Sequence, residues 1–60
     1  MGEFKFELRK NKDRQIYFVF VSSNGRDICW SESYSSEQDA LHAIGLVKND
    51  ATNSKIYRNY

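Results

Sequence analysis

One histidine, His42, one cysteine, Cys29, and the carboxylates Asp27, Glu32, Glu37 and Asp39 are the side chains from which a catalytic or metal site would be built here. A histidine acting as a general base needs an oriented nucleophile within hydrogen-bond reach, and nothing near His42 in sequence supplies one. Cys29 would need an electropositive neighbour to become a nucleophile. It lies between Ile28 and Trp30, so an inert, partly buried thiol is expected. Glu37 and Asp39 fall in the first turn of an expected helix, where negative charge is favoured by the helix dipole. A single His and a single Cys cannot complete a zinc site within one chain. Gly25 stands alone, and the glycines form no phosphate cradle. These residues predict no catalytic centre, no metal and no cofactor.

The aromatic residues carry the remaining chemistry. Trp30 is expected in the core under a helix, with its indole N–H finding a partner near the sheet edge. Tyr34 reads as an anchor at the start of that helix. Tyr17 is the aromatic whose exposure would point to recognition, because sheets that bind single-stranded nucleic acid combine exposed aromatics with cations. The net charge is only +1, from nine basic and eight acidic residues scattered along the chain. No basic block forms an electrostatic footprint, so nucleic acid is not an expected partner.

Positioning these residues requires strands, turns and a helix. Phe4, Phe6 and Leu8 alternate with Lys5, Glu7 and Arg9, the period-two pattern of a half-buried strand. Residues 11–14 form a polar turn, 15–21 a β-branched and aromatic strand, and 26–33 a returning strand. Asn24-Gly25 marks the hairpin between the last two, since both residue types tolerate φ > 0. Ser35 and Gln38 have the spacing of a capping box, opening a helix over residues 36–49. Ala40, Ala43, Ile44 and Val47 lie on one helical arc, with Leu41 at its margin. A loop and a short strand over residues 55–58 follow.

Register in the second hairpin decides which side chains share a face. A two-residue loop would pair Val21 with Ile28 and Val19 with Trp30. A three-residue loop, with Gly25 as its left-handed residue, would pair Phe20 with Ile28 and Phe18 with Trp30. The second register gathers Phe18, Phe20, Ile28 and Trp30 with Phe6 and Leu8 on one face, the larger apolar set, and is preferred. Tyr17, Val19, Val21 and Cys29 then line the other face, apolar where a solvent-facing strand is normally polar. Tyr17, Val19 and Val21 are therefore the candidate interaction face.

A domain of sixty residues buries only about 60% of the surface its unfolded chain exposes. Small folds recruit disulfides, metals or a second subunit. With one cysteine and one histidine, self-association remains. No segment has the length of a membrane span or the apolar core of a signal peptide, and a free cysteine suits a reducing cytoplasm.

The order Phe6-Glu7-Leu8, Phe18, Asn24-Gly25, Ile28, Ser31-Glu32, Tyr34-Ser35-Ser36, Ala40 through Ile44 and Val47-Lys48 resembles the YegP-like family of small uncharacterised proteins. The resemblance runs over residues 6–51 without a gap. It implies a β-β-β-α-β unit, two of which share one sheet and exchange their C-terminal strands. In a single-unit chain that means a homodimer, with Ile56 entering the partner's core and Tyr57 flanking it. Arg14 and Ser33 stand where the family has glycine, which is accommodated if both keep φ < 0. The second strand also departs, with Tyr17, Val19 and Val21 where the family alternates apolar with basic residues.

The sequence thus predicts one α+β domain over residues 1–60, its core unit 4–58, forming a homodimer with one shared antiparallel sheet, helices on one face. The favoured role is a non-enzymatic cytoplasmic accessory protein, with itself and an unidentified protein as partners. Two alternatives stay open. One is a single-stranded nucleic-acid binder, the other an enzyme whose site forms only across the dimer.

Overall fold

Alternating side chains and a positive-φ turn build the sheet. The computed structural model describes residues 2–60. Strands β1 (Lys5–Lys10), β2 (Ile16–Val21) and β3 (Asp27–Trp30) form an antiparallel sheet in that order, followed by helix α1 (Glu37–Asp50) and a 3-10 turn over Ala51–Asn53. The protein is therefore α+β.

The first hairpin pairs Phe6 with Phe20, Glu7 with Val19, Leu8 with Phe18 and Arg9 with Tyr17. Residues directly opposite each other share a face. Phe6, Leu8, Phe18 and Phe20 thus lie together, and Phe6 contacts Phe18 edge-on at 5.7 Å and Phe20 at 5.0 Å between ring centroids. The turn before β2 is held by the Asn11 side chain, whose Oδ1 accepts the amides of Asp13 and Gln15 at 2.9 Å. Arg14 sits there at φ 64°, so the condition for accommodating it without strain, a negative φ, is not met.

The second hairpin combines both candidate registers. Ser22 and Arg26 close a three-residue loop, the Ser22 amide donating to the Arg26 carbonyl at 2.8 Å, with Gly25 at φ 86° as expected. Val21 pairs with Asp27, the preferred register. The pairing then shifts by one residue, so that Phe20 faces Cys29 and Val19 faces Trp30. Ile28 is the extra residue of this bulge, and inserting one residue returns everything beyond it to the opposite face. Trp30 therefore does not pair with Phe18 and is not core. It is 70% exposed. Cys29 is exposed too, because all of β3 lies at an open edge.

Helix α1 begins one residue later than its expected cap. Ser36, not Ser35, is the N-cap, its hydroxyl accepting the Asp39 amide at 3.2 Å. That start directs Ala40 and Ile44 into the core beside Phe18. Between β3 and the helix, Ile16 and Tyr34 exchange backbone hydrogen bonds of 2.8 and 2.7 Å. Residues 54–60 form no strand within the chain, and Ile56 is 89% exposed. A fourth strand would need a neighbouring edge, and this segment pairs with none of its own.

Candidate functional site

The two faces of the sheet are closed by different means. Opposite the helix, Lys5, Glu7 and Arg9 of β1 share a face with Val21, Val19 and Tyr17 of β2. Arg9 grips Asp27 of β3 with two parallel bonds of 3.0 Å and donates its Nε to Glu7 at 2.6 Å. Lys5 Nζ stands 3.5 Å from Glu7. Arg9 is the neighbour of Tyr17, and Asp27 of Val21, so their ion pair runs diagonally across β2 above Val19. Val19 is consequently 1% exposed and Val21 3% exposed, without any apolar layer over them.

Electrostatics follow from this contact. The hydrogen bond from Arg9 holds the carboxyls of Glu7 and Asp27 below the usual carboxylate range, and Asp27 in turn raises the guanidinium further above its ordinary value. Two cations and two anions leave the canopy neutral. Beside it opens a cleft of about 330 Å³, floored by Val19 and walled by Tyr17 and Trp30. Asn11 and Ser33, joined by a 3.0 Å hydrogen bond, form its far rim.

On the helix side, an apolar groove of about 530 Å³ lies between the sheet and the C-terminal end of α1. Phe6, Phe18, Phe20, Trp30 and Val47 are among its walls. It adjoins the open β3 edge. Tyr57 and Ile56 are both largely exposed in the tail that follows the helix.

Of the three residues expected to form an interaction face, only half-buried Tyr17 reaches solvent. Val19 and Val21 are sealed inside the single chain because charged side chains, rather than a partner, cover them. Their new companion is Trp30. The Arg9–Asp27 pair escaped the sequence reading because eighteen positions separate the residues and the contact spans three strands, from β1 across β2 to β3. His42 is exposed on the helix and Cys29 on the β3 edge, so the two are not brought into one site. Among the described residues no group of His, Cys, Asp and Glu is placed to hold a metal, and no helix is long and apolar enough to cross a membrane.

A three-stranded antiparallel sheet carrying one helix, with an open edge and an unpaired tail, defines a small α+β unit. The chain belongs to the family described as a domain of unknown function, DUF1508, whose model matches residues 11–57. It is 37% identical over 54 residues to the UPF0339 protein MS1092 of Mannheimia succiniciproducens, covering 90% of this chain and 48% of that one. It is 36% identical over 52 residues to the UPF0339 protein YegP of Escherichia coli, covering 87% and 47%. With the UPF0339 protein Atu0232 of Agrobacterium fabrum it shares 35% over 48 residues, covering 80% and 77%. The chain thus spans about half the length of two of these relatives. The solution structure of a protein from Haloferax volcanii superposes with a TM-score of 0.85 at 25% identity, covering 97% of this chain and 98% of that one.

Proposed function

We propose that this chain is a non-enzymatic interaction protein that works as a homodimer. Residues 55–58 of each copy would add a strand to the other's sheet and place Ile56 in its apolar groove. The observation that carries this reading is the coexistence, in one chain, of an unfilled apolar groove beside an open strand edge and an unpaired tail whose Ile56 is 89% exposed. Neither is stable alone, because an exposed apolar groove and an unpaired edge both invite pairing. The relatives MS1092 and YegP carry roughly as much chain again as the matched part, room for a second unit in one polypeptide. The lone thiol fits a reducing compartment, the cytoplasm.

Light scattering at micromolar concentration tests the assembly. The expected mass is twice that of the chain, and deleting residues 55–60 should leave an unfolded or aggregating species. A stably folded monomer, with or without the tail, would overturn the exchange.

A further inference from the structure

We propose that the exchanged tail pairs antiparallel with β3 in one register, with Tyr57 of one copy opposite Trp30 of the other and Lys55 opposite Glu32. This rests on the homodimer reading above and adds to it the edge, the direction and the register. Two edges of the sheet are open. Strand β1 carries Lys5, Arg9 and Lys10 against Glu7 alone, whereas residues 27–33 carry Asp27 and Glu32 and no cation. The tail Lys55-Ile56-Tyr57-Arg58 is basic. Opposite charges across a strand pair stabilise it and like charges do the reverse, so the tail belongs on β3.

Backbone direction fixes the phase. The Ser31 amide donates inward to the Phe18 carbonyl at 2.9 Å. Backbone groups alternate in direction along an antiparallel strand, so the amide and carbonyl of Trp30 point out from the open edge. Trp30 lies opposite Val19, on the face away from the helix, and Cys29 lies opposite Phe20, on the helix face. Ile56 belongs on the helix face, because the groove is there, with Cys29 and Ser31 on its β3 side. Successive side chains point to opposite faces, which puts Tyr57 on the face of Trp30. Both rings are largely exposed in the single chain, and pairing lays one against the other. Direction then follows from charge. With Tyr57 opposite Trp30, an antiparallel strand brings Lys55 to Glu32, whereas a parallel one brings Asn59 there. Setting Lys55 opposite Trp30 instead would bring Asn53, part of the 3-10 turn, to Glu32. Among the described residues neither Lys55 nor Glu32 has an ion-pair partner. The proposed register supplies one to each, twice per dimer by symmetry.

The same register sets Arg58 opposite Cys29 in a pair that exchanges no backbone bonds. Cα atoms in such a pair stand about 4.5 Å apart, within the range a disulfide spans. Arg58→Cys in the full chain should therefore give a covalent dimer on a non-reducing gel once diamide oxidises the two thiols. Asn59→Cys, one residue further, should give at least about tenfold less. Cys29 is the only cysteine of the parent chain, which should stay uncrosslinked. Glu32→Lys should weaken the dimer about tenfold on dilution, measured by light scattering, and adding Lys55→Glu should restore it. Both positions are exposed, so these changes leave the fold of the single chain intact. A dimer that Arg58→Cys fails to bridge, that Asn59→Cys bridges as readily, or that Glu32→Lys leaves as tight would overturn the register while the exchange stood. A parent that stays monomeric would overturn the exchange on which the register rests.

Discussion

The helix-side face of the sheet is rich in phenylalanine yet incompletely covered, whereas the opposite face carries two valines and is sealed at its centre. On the first, Phe6, Phe18 and Phe20 pack together, but the groove at the end of α1 leaves part of that surface open. On the second, a single guanidinium reaching from β1 to β3 closes the surface over Val19. Burial is therefore not a measure of hydrophobic content. Long charged side chains can lay their aliphatic stems over apolar atoms while their heads pair above. The aromatic face has no such charged cover and is left partly open at the groove, whereas the valine face is closed within the single chain.

Substitution at the centre of the sealed face should produce the largest effect. Val19→Lys puts an ammonium where only 1% of the side chain meets water, at about 3–5 kcal/mol for an uncompensated buried charge. That is comparable with the whole stability of a domain this size, so its thermal melt should lose cooperativity. Ile28→Lys, on the exposed bulge, should stay within about 0.5 kcal/mol. If Val19→Lys melts within a few degrees of the parent, the canopy does not seal the sheet and the contrast between the faces collapses.

Acid should separate the faces by a smaller amount. Glu7 and Asp27 have ordinary values of 4.5 and 3.8, and Arg9 lowers both in the folded chain. The unfolded chain then takes up protons first as pH falls, so acid favours unfolding. The contribution is complete at neutral pH and is lost from about those ordinary values downward, through the lowered ones. These groups are partly solvated, and the effect is accordingly modest. The melting temperature should fall between pH 5 and pH 2, with a shallower slope in Asp27→Asn. Equal slopes would mean that Arg9 and Asp27 pair no better in the folded chain than in the unfolded one.

Much of this architecture was legible in residue types, and the exceptions share a cause. Phe6-Glu7-Leu8, the Asn24-Gly25 turn and the Ala40–Ile44 arc each state a local preference that the fold obeys. The cap was misread by one residue because Ser35 and Ser36 are both competent, and packing of Ala40 against the sheet chose between them. The bulge at Ile28 has no local signature, being a compromise between a three-residue loop and the pairing beyond it. The face of Trp30 and the cleft depend on it and were hidden with it, whereas the Arg9–Asp27 pair lies before the bulge and was hidden by its span across three strands. The tail could be read as a strand because Lys55-Ile56-Tyr57-Arg58 has strand composition, but composition cannot say whose sheet a strand completes.

The two hairpin turns offer the smallest and cleanest comparison, because both place one residue at positive φ and only one of them is glycine. Gly25 is at φ 86°, and a Cβ there would meet no heavy atom within 4 Å. Gly25→Ala therefore acts through backbone conformation alone and should destabilise by about 1 kcal/mol. Arg14 already bears that strain at φ 64°. Its amide is held by the Asn11 carbonyl at 3.1 Å, a bond glycine can also make. Arg14→Gly should relieve the steric part while giving glycine's greater freedom to the unfolded chain, for a net gain below about 1 kcal/mol. Opposite signs at two turns of one sheet, read as midpoints in urea, would show that steric strain at positive φ sets both. A loss of stability in Arg14→Gly would mean that the arginine side chain holds the first turn by contacts that outweigh its backbone strain.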